Sequence, residues 1–409
     1  MNPSRQVIVV GAGHAGLALS HELARAGVEH QVLERGRVGE SWRTRWDTFC
    51  LVTPNWTVRL PGAAYGGDQP DGFMSKDEVV SHLERYAKGF EAPVSEGVAV
   101  SSIEPADGGG QLLRTSVGDL HADIVVLATG AYQKPHRPVG AGSLPAEVHA
   151  IDSEAYRNPG ALPPGKVLIV GSGQTGCQIA SELNASGREV VLACGRAPWG
   201  PRRIDGRDIV SWISETPFFD QTVADLPSPL ARLGANLQAT GRDGGYDLHY
   251  RTLVRDGVTL AGHFLGVDDH FVTFAPDLAE SVAFGDARYE DISNLIMKSC
   301  VERGETAPVF PNPEAFNAES PMRMDLSGCG AVIFTSGFRP DYTSWVRFPN
   351  AFDDLGFPIQ RDGESSTVPG LYFIGSHFLR KRKSATFMGI GEDAVVVAEK
   401  IAKGSVQLR

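Results

Sequence analysis

Two six-residue runs carry the most legible chemistry in this chain. Gly11-Ala12-Gly13-His14-Ala15-Gly16 and Gly171-Ser172-Gly173-Gln174-Thr175-Gly176 both read GxGxxG. That spacing suits a phosphate cradle. The first glycine makes a tight turn, the second lets backbone approach a pyrophosphate, and the third lets a helix pack on a strand. Free amides at the positive end of the helix then face the anion. One such run is weak evidence, but two in one chain, each in the right context, are strong.

The residues beyond each run differ. Glu34 stands 23 positions after Gly11, with Arg35 beside it. A carboxylate there accepts hydrogen bonds from ribose hydroxyls. Cys194 stands 23 positions after Gly171, so the second copy lacks the acid. Arg196 follows, with Arg202 and Arg203 nearby. Guanidinium groups in place of a carboxylate suit a ribose 2′-phosphate. The first run is therefore expected to hold an adenine dinucleotide with a free ribose, and the second NADPH.

Elements of the right kind flank both runs. Residues 6–10 and 166–170 are apolar, β-branched runs that end in the glycine turns, and helical patterns follow each. Residues 124–127 end in Ala128-Thr129-Gly130, and 371–374 end in Gly375-Ser376. A glycine-bearing loop at 384–391 leads into a closing helical pattern. These features predict an α/β fold with two Rossmann-like dinucleotide-binding domains. Residues 1–156 and 330–409 are expected to form a split first domain. Residues 157–329 are expected to form the second, inserted through the Pro/Gly-rich stretch 159–164. Within it, 205–320 carries no recognised motif and is expected to cover the active site.

Composition narrows the function classes. At 409 residues the chain exceeds one ordinary domain. Hydrophobic residues at 42% and charged residues at 21% exclude disordered and fibrous classes. A formal charge of −11 argues against a nucleic-acid partner. Five dispersed cysteines with no CxxC pair argue against a disulfide framework, a zinc site and a redox dithiol. They suit a reducing cytoplasm. The apolar runs are strand-length, so no membrane span is expected, and no secretory leader is recognised. No metal-ligand set or Ser-His-Asp triad is found.

Further motifs carry a resemblance. Gly39-Glu40-Ser41-Trp42-Arg43 leads through Trp46-Asp47 to Leu51-Val52-Thr53-Pro54. Leu371-Tyr372-Phe373-Ile374-Gly375 precedes Met388-Gly389-Ile390-Gly391. Together with both glycine runs, these resemble the class B flavin-dependent monooxygenases: the flavin-containing monooxygenases, the plant YUCCA enzymes and the Baeyer–Villiger monooxygenases. Residues 195–208 look like a bacterial subgroup of flavoprotein oxidoreductases. The chain departs from the Baeyer–Villiger fingerprint, keeping His149 but placing Ser143 and Pro145 where Phe and Gly belong.

The resemblance implies FAD on the first run and NADPH on the second. It implies that NADPH reduces FAD, and that O2 adds to the flavin C4a as a (hydro)peroxide and passes one oxygen atom to a small organic substrate. Implied FAD contacts are Gly11, Gly13, His14, Ala15, Gly16, Glu34, Arg35, Ser41, Trp42 and Thr53. Val100 is implied at the adenine, Ala128, Thr129 and Gly130 at a strand end, Gly375 and Ser376 at the ribityl chain, and Gly389 at the pyrimidine edge. NADPH contacts are Gly171, Gly173, Gln174, Thr175, Gly176, Arg196 and Arg202. Trp46, Asp47 and Asn55 are the catalytic candidates on the flavin face. His149 and His377 are candidates to line the active site, and Lys383 to reach an anionic substrate or the nicotinamide nucleotide. A reductase or oxidase of the same fold, and a flavin-holding sensor, stay open beside this reading, as does the oligomeric state. Replacing Arg196 with alanine is expected to raise the KM for NADPH by about tenfold, and far more than the KM for NADH. Steady-state kinetics with both nucleotides check this, and equal effects refute the assignment.

Overall fold

The computed structural model describes residues 6–406. Two parallel sheets dominate it. The first is seven-stranded, in the order Gln360–Arg361, Glu364–Ser365, Leu371–Phe373, Ile124–Leu127, Val7–Val10, His30–Glu34, Val94–Glu96. Its last five strands run parallel. Val7–Val10 and Ile124–Leu127 are buried along their whole length. Continuous apolar runs of this kind are what a parallel strand covered on both faces requires.

The second sheet has five strands, in the order Ala150–Asp152, Cys329–Phe334, Lys166–Val170, Val190–Ala193, Thr259–Ala261. All its pairings are parallel. This order moves the expected domain boundaries. Ala150–Asp152 lies before the expected start at 157, and Cys329–Phe334 runs past the expected end at 329, yet both belong to the second sheet. The reason is burial. Val332 and Ile333 are fully enclosed only because the strand slots between 150–152 and 166–170. The chain crosses between sheets twice, and the crossings pair with each other as Lys134–Pro135 against Phe338–Arg339.

In each unit a helix starts at the glycine turn. His14–Arg25 buries Leu17, Leu19 and Leu23, together with small residues that let it pack closely. Ala394, Val397, Ala398 and Ile401 of the helix Ile390–Val406 share that core. Gln174–Ala185 buries Cys177, Ile179, Ala180 and Leu183 in the second unit. Among the described residues no helix is long and apolar enough to cross a membrane, and no cluster of His, Cys, Asp and Glu could hold a metal ion.

A short loop of the first unit reaches into the second. Trp46 is buried among Tyr156, Cys177 and Leu248 of the second core, with its ring edge-on to Phe49 at 5.0 Å. Beside it, Glu182 accepts hydrogen bonds from the Thr48 hydroxyl (2.9 Å) and the Tyr156 hydroxyl (3.0 Å). Burial raises the Glu182 carboxyl above its ordinary pKa. The Asp47 amide donates to the Arg157 carbonyl at 2.9 Å. Trp46→Ala removes a large side chain from this core and should cost about 3–5 kcal/mol. A lower midpoint in urea unfolding, with flavin content as a second readout, checks it.

Candidate cofactor cleft and active site

The two glycine turns have the same internal geometry. Gly11 has φ +111°, and a Cβ there would lie 2.7 Å from the Ala128 carbonyl oxygen. A Cβ on Gly16 would lie 1.9 Å from the Gly11 carbonyl oxygen. In the second unit, Gly171 has φ +108°, and a Cβ on Gly176 would lie 2.0 Å from the Gly171 oxygen. The outer glycines are thus demanded by the chain itself. The middle ones are not. A Cβ on Gly13 would meet nothing within 4 Å, and one on Gly173 only the Ala235 Cβ at 3.8 Å. Neither helix start carries a side-chain cap. Both turns therefore offer uncapped helix amides beside an open glycine, which fits a dinucleotide diphosphate.

The carboxylate after the first turn is already oriented. Glu34 accepts hydrogen bonds from the Ala12 amide (2.8 Å) and the Gly36 amide (2.9 Å). Its remaining lone pairs can accept ribose hydroxyls. At the second turn, Cys194 is buried, and burial pushes its thiol far up. The Ser172 hydroxyl accepts from the Gly195 amide at 2.8 Å, and the Tyr250 hydroxyl bonds the Gly195 carbonyl. Arg196 is exposed, and no acid among the described residues pairs with it. It is therefore free to meet a phosphate. Arg202 is not. It is buried, pairs with Asp208 at 2.6 Å, donates to the Val52 carbonyl at 2.9 Å and lies 4.3 Å from the Phe73 ring. The expectation that Arg202 contacts the nucleotide is corrected, because its charge is neutralised inside the protein.

Several of the other FAD candidates stand around the first turn, and others do not. Gly39 donates to the Ala12 carbonyl at 3.1 Å, which sets the short helix Glu40–Arg43 against the first turn. On that helix Ser41 is exposed and Trp42 half-buried. Trp42 packs near His14 (5.9 Å) and Phe387 (5.3 Å), and its enclosed Nε1 has no partner in the protein. Burial pushes the His14 imidazole down to about 4, so it is neutral at pH 7. Ala128 is buried against the turn, while the Gln133 amide ties the Thr129 hydroxyl and the Gly130 carbonyl. Gly375 has φ +76°, and a Cβ there would lie 2.6 Å from the Ala15 Cβ, with buried Ser376 next to it. Gly389 stands just before Ile390–Val406, with the Lys383 carbonyl 2.4 Å from where its Cβ would be. Arg35 is exposed at the end of its strand, and Val100 opens a separate antiparallel strand, Val100–Pro105. The Thr53 hydroxyl accepts from Thr57 at 2.9 Å. In the second unit, the Gln174 amide donates to the Leu237 carbonyl at 2.7 Å, and Thr175 is half-buried next to it.

The three catalytic candidates do not converge. Trp46 lies in the second core. Asp47 is exposed, bonded by Asn158 (2.7 Å) and Lys76 (3.2 Å), and these contacts lower its pKa. Asn55 is buried with its amide satisfied at both ends. It donates to the Gln69 carbonyl at 2.9 Å and accepts from the Met74 amide at 2.7 Å. The structure gives all three to loop architecture, which corrects the expected trio. His149 is exposed. Lys383 pairs with Asp220 (3.1 Å) and Glu392 (2.6 Å), and so does not reach for an anion.

Residues 205–320 contact the second turn and the loop before the last helix. Gln238 donates to the Ser172 carbonyl at 2.8 Å. The 217–220 turn reaches across to the loop before the last helix. Lys381 and Lys383 there share Asp220 and Glu392, and Arg382 bonds Gln221 and stacks 4.3 Å from Phe218. Sequence reasoning missed this latch, Gln238 and Tyr250, because the region has no motif or periodicity that points to them.

Comparison with known proteins agrees with this architecture. The family model described as pyridine nucleotide-disulphide oxidoreductase matches residues 8–223. This chain belongs to that family. It is 31% identical over 393 residues to an uncharacterized CzcO-like oxidoreductase of Geobacillus kaustophilus, covering 95% of each chain. It is 30% identical over 220 residues to the indole-3-pyruvate monooxygenase YUCCA4 of rice, covering 49% of each. Its fold matches a flavin monooxygenase from Stenotrophomonas maltophilia with a TM-score of 0.66 over 98% of both chains, at 17% identity. The chain is thus a flavoprotein-type oxidoreductase with two dinucleotide-binding units, and it resembles the flavin monooxygenases within that family. Its five cysteines are all free.

The glycine geometry separates two substitutions. Gly16→Ala forces backbone apart and should lower the melting temperature with or without cofactor. Gly13→Ala should leave the apoprotein's melting temperature unchanged but weaken FAD binding by about tenfold or more. Thermal melts of apoprotein alongside fluorescence titration with FAD check both. Equal behaviour of the two variants contradicts the cradle.

Proposed function

We propose that this protein is an NADPH-dependent, FAD-containing monooxygenase that transfers one oxygen atom from O2 to a small organic substrate. One observation carries the reading. Two equivalent turns, each open at its middle glycine, are followed by a carboxylate in one unit and by an unpaired arginine in the other. That asymmetry supports FAD on Gly11, Gly13 and Gly16 with Glu34, and NADPH on Gly171, Gly173 and Gly176 with Arg196. The printed activity of the YUCCA4 relative and the flavin monooxygenase fold match support oxygen transfer as the use of this pair.

In this reading the flavin supplies oxygen activation at its C4a position, with NADP+ kept bound. The chain's own part is positioning and exclusion of water. Trp42, His14 and Phe387 form an apolar wall beside the first turn. The amides at 388–391 open the last helix, where a positive helix end stabilises negative charge on a flavin's pyrimidine edge. The latch at 217–222 covers the approach from the second unit. A reductase or oxidase of the same fold is the competing reading. Five dispersed thiols without a CxxC pair argue against its disulphide-reducing form.

Rapid mixing decides between them. Protein reduced with NADPH and mixed with O2 should show a near-ultraviolet absorbance distinct from oxidised and reduced flavin, lasting longer with NADP+ present. Immediate return of oxidised FAD with stoichiometric hydrogen peroxide, candidate substrates included, would favour the oxidase.

A further inference from the structure

Arg45 stands out among the enclosed arginines. Arg202, Arg232 and Arg251 pair with Asp208, Asp353 and Asp286 at 2.6, 2.7 and 2.8 Å. The Arg45 side chain has no hydrogen bond or ion pair with any described residue, and its enclosed Nε is unpartnered. Its guanidinium lies 5.6 Å from the Phe49 ring and 5.7 Å from the Tyr132 ring. Glu154 is the acid whose charge it feels, but the two form no ion pair, and burial lowers the guanidinium below its ordinary pKa. An enclosed cation without a counterion is costly, and aromatic faces offset only part of that cost.

Two further polar groups border the place: His377 is half-buried, and Tyr132 is exposed on its outer side. Tyr132 packs edge-on to His377 at 5.2 Å and to Phe338 at 5.4 Å. Neither the Tyr132 hydroxyl nor the His377 imidazole hydrogen-bonds a described residue. Burial pushes His377 down to about 4, so it brings no charge at pH 7. The three residues stand at meaningful positions. Arg45 follows the short helix Glu40–Arg43, Tyr132 follows Gly130, and His377 follows Ser376. Each segment lines the first cofactor cleft. Tyr132 and Phe338 also stand at the two chain crossings. One cation, a neutral imidazole and a phenol thus converge where the cleft opens onto the seam between units.

We propose that Arg45, with Tyr132 and His377, forms an oxyanion subsite that takes a carboxylate or phosphate group of a small molecule bound in the cleft. A guanidinium fork fits either group. The source is a carboxylate on the substrate or the diphosphate of the nicotinamide nucleotide. The inference rests on the proposed function only in that both molecules share this cleft.

Calorimetric titration of the FAD-loaded full chain with benzoate, and separately with NADP+, tests it. In Arg45→Gln the affinity for one probe should fall at least about tenfold, with Arg45→Lys intermediate and Tyr132→Phe weaker by about threefold. Loss confined to benzoate assigns the subsite to the substrate, and loss confined to NADP+ assigns it to the nucleotide. If both probes bind Arg45→Gln within twofold of the parent, or if the parent binds neither, the proposal is overturned. Should Arg45→Gln not fold, Arg45→Lys decides, since unchanged affinity there overturns it too. A missing oxygenated-flavin signal in rapid mixing would defeat the monooxygenase reading while leaving these affinities standing.

Discussion

The contact on which this architecture depends is a carbonyl oxygen pressed against a glycine. In each unit the oxygen of the first turn glycine lies where the third glycine's side chain would begin, at 1.9 Å for Gly11 against Gly16 and 2.0 Å for Gly171 against Gly176. No other residue type permits that approach. It draws each helix onto its strand and aims the helix amides at the turn. The FAD candidates around the first turn, the latch and the seam are all arranged around the position this contact gives the first helix.

What was legible from residue types follows from this. The glycine runs and apolar strands are local demands of backbone, so pattern alone reveals them. Glu34 was legible because its spacing is set by one strand and one helix. Arg202 was misread because nearness in sequence to Arg196 says nothing of Asp208, which captures it. Asn55 was misread for a similar reason, since its amide is satisfied by Gln69 and Met74 across a loop. The domain boundaries shifted because Cys329–Phe334 slots between strands far from it in sequence. Long-range pairings of that kind leave no periodic trace.

The seam between the units carries polar groups at its buried centre and at its exposed edge. Glu182 is held there by two hydroxyls, and Asp47 is fixed by Asn158 and Lys76. Trp46 supplies the apolar centre. Such groups are tolerated because each has partners, which restricts the seam to few arrangements. Arg45 lacks them, and that contrast identifies it among its neighbours.

The split of the first sheet imposes an order on folding. Leu371–Phe373 and Ile390–Val406 complete the sheet and helix layer that Val7–Val10 begins, but they are synthesised after every strand of the second sheet. The second sheet draws only on residues 150–334 and can close earlier. The nascent N-terminal part must therefore wait with its apolar strands incompletely covered until residues 371–406 have emerged.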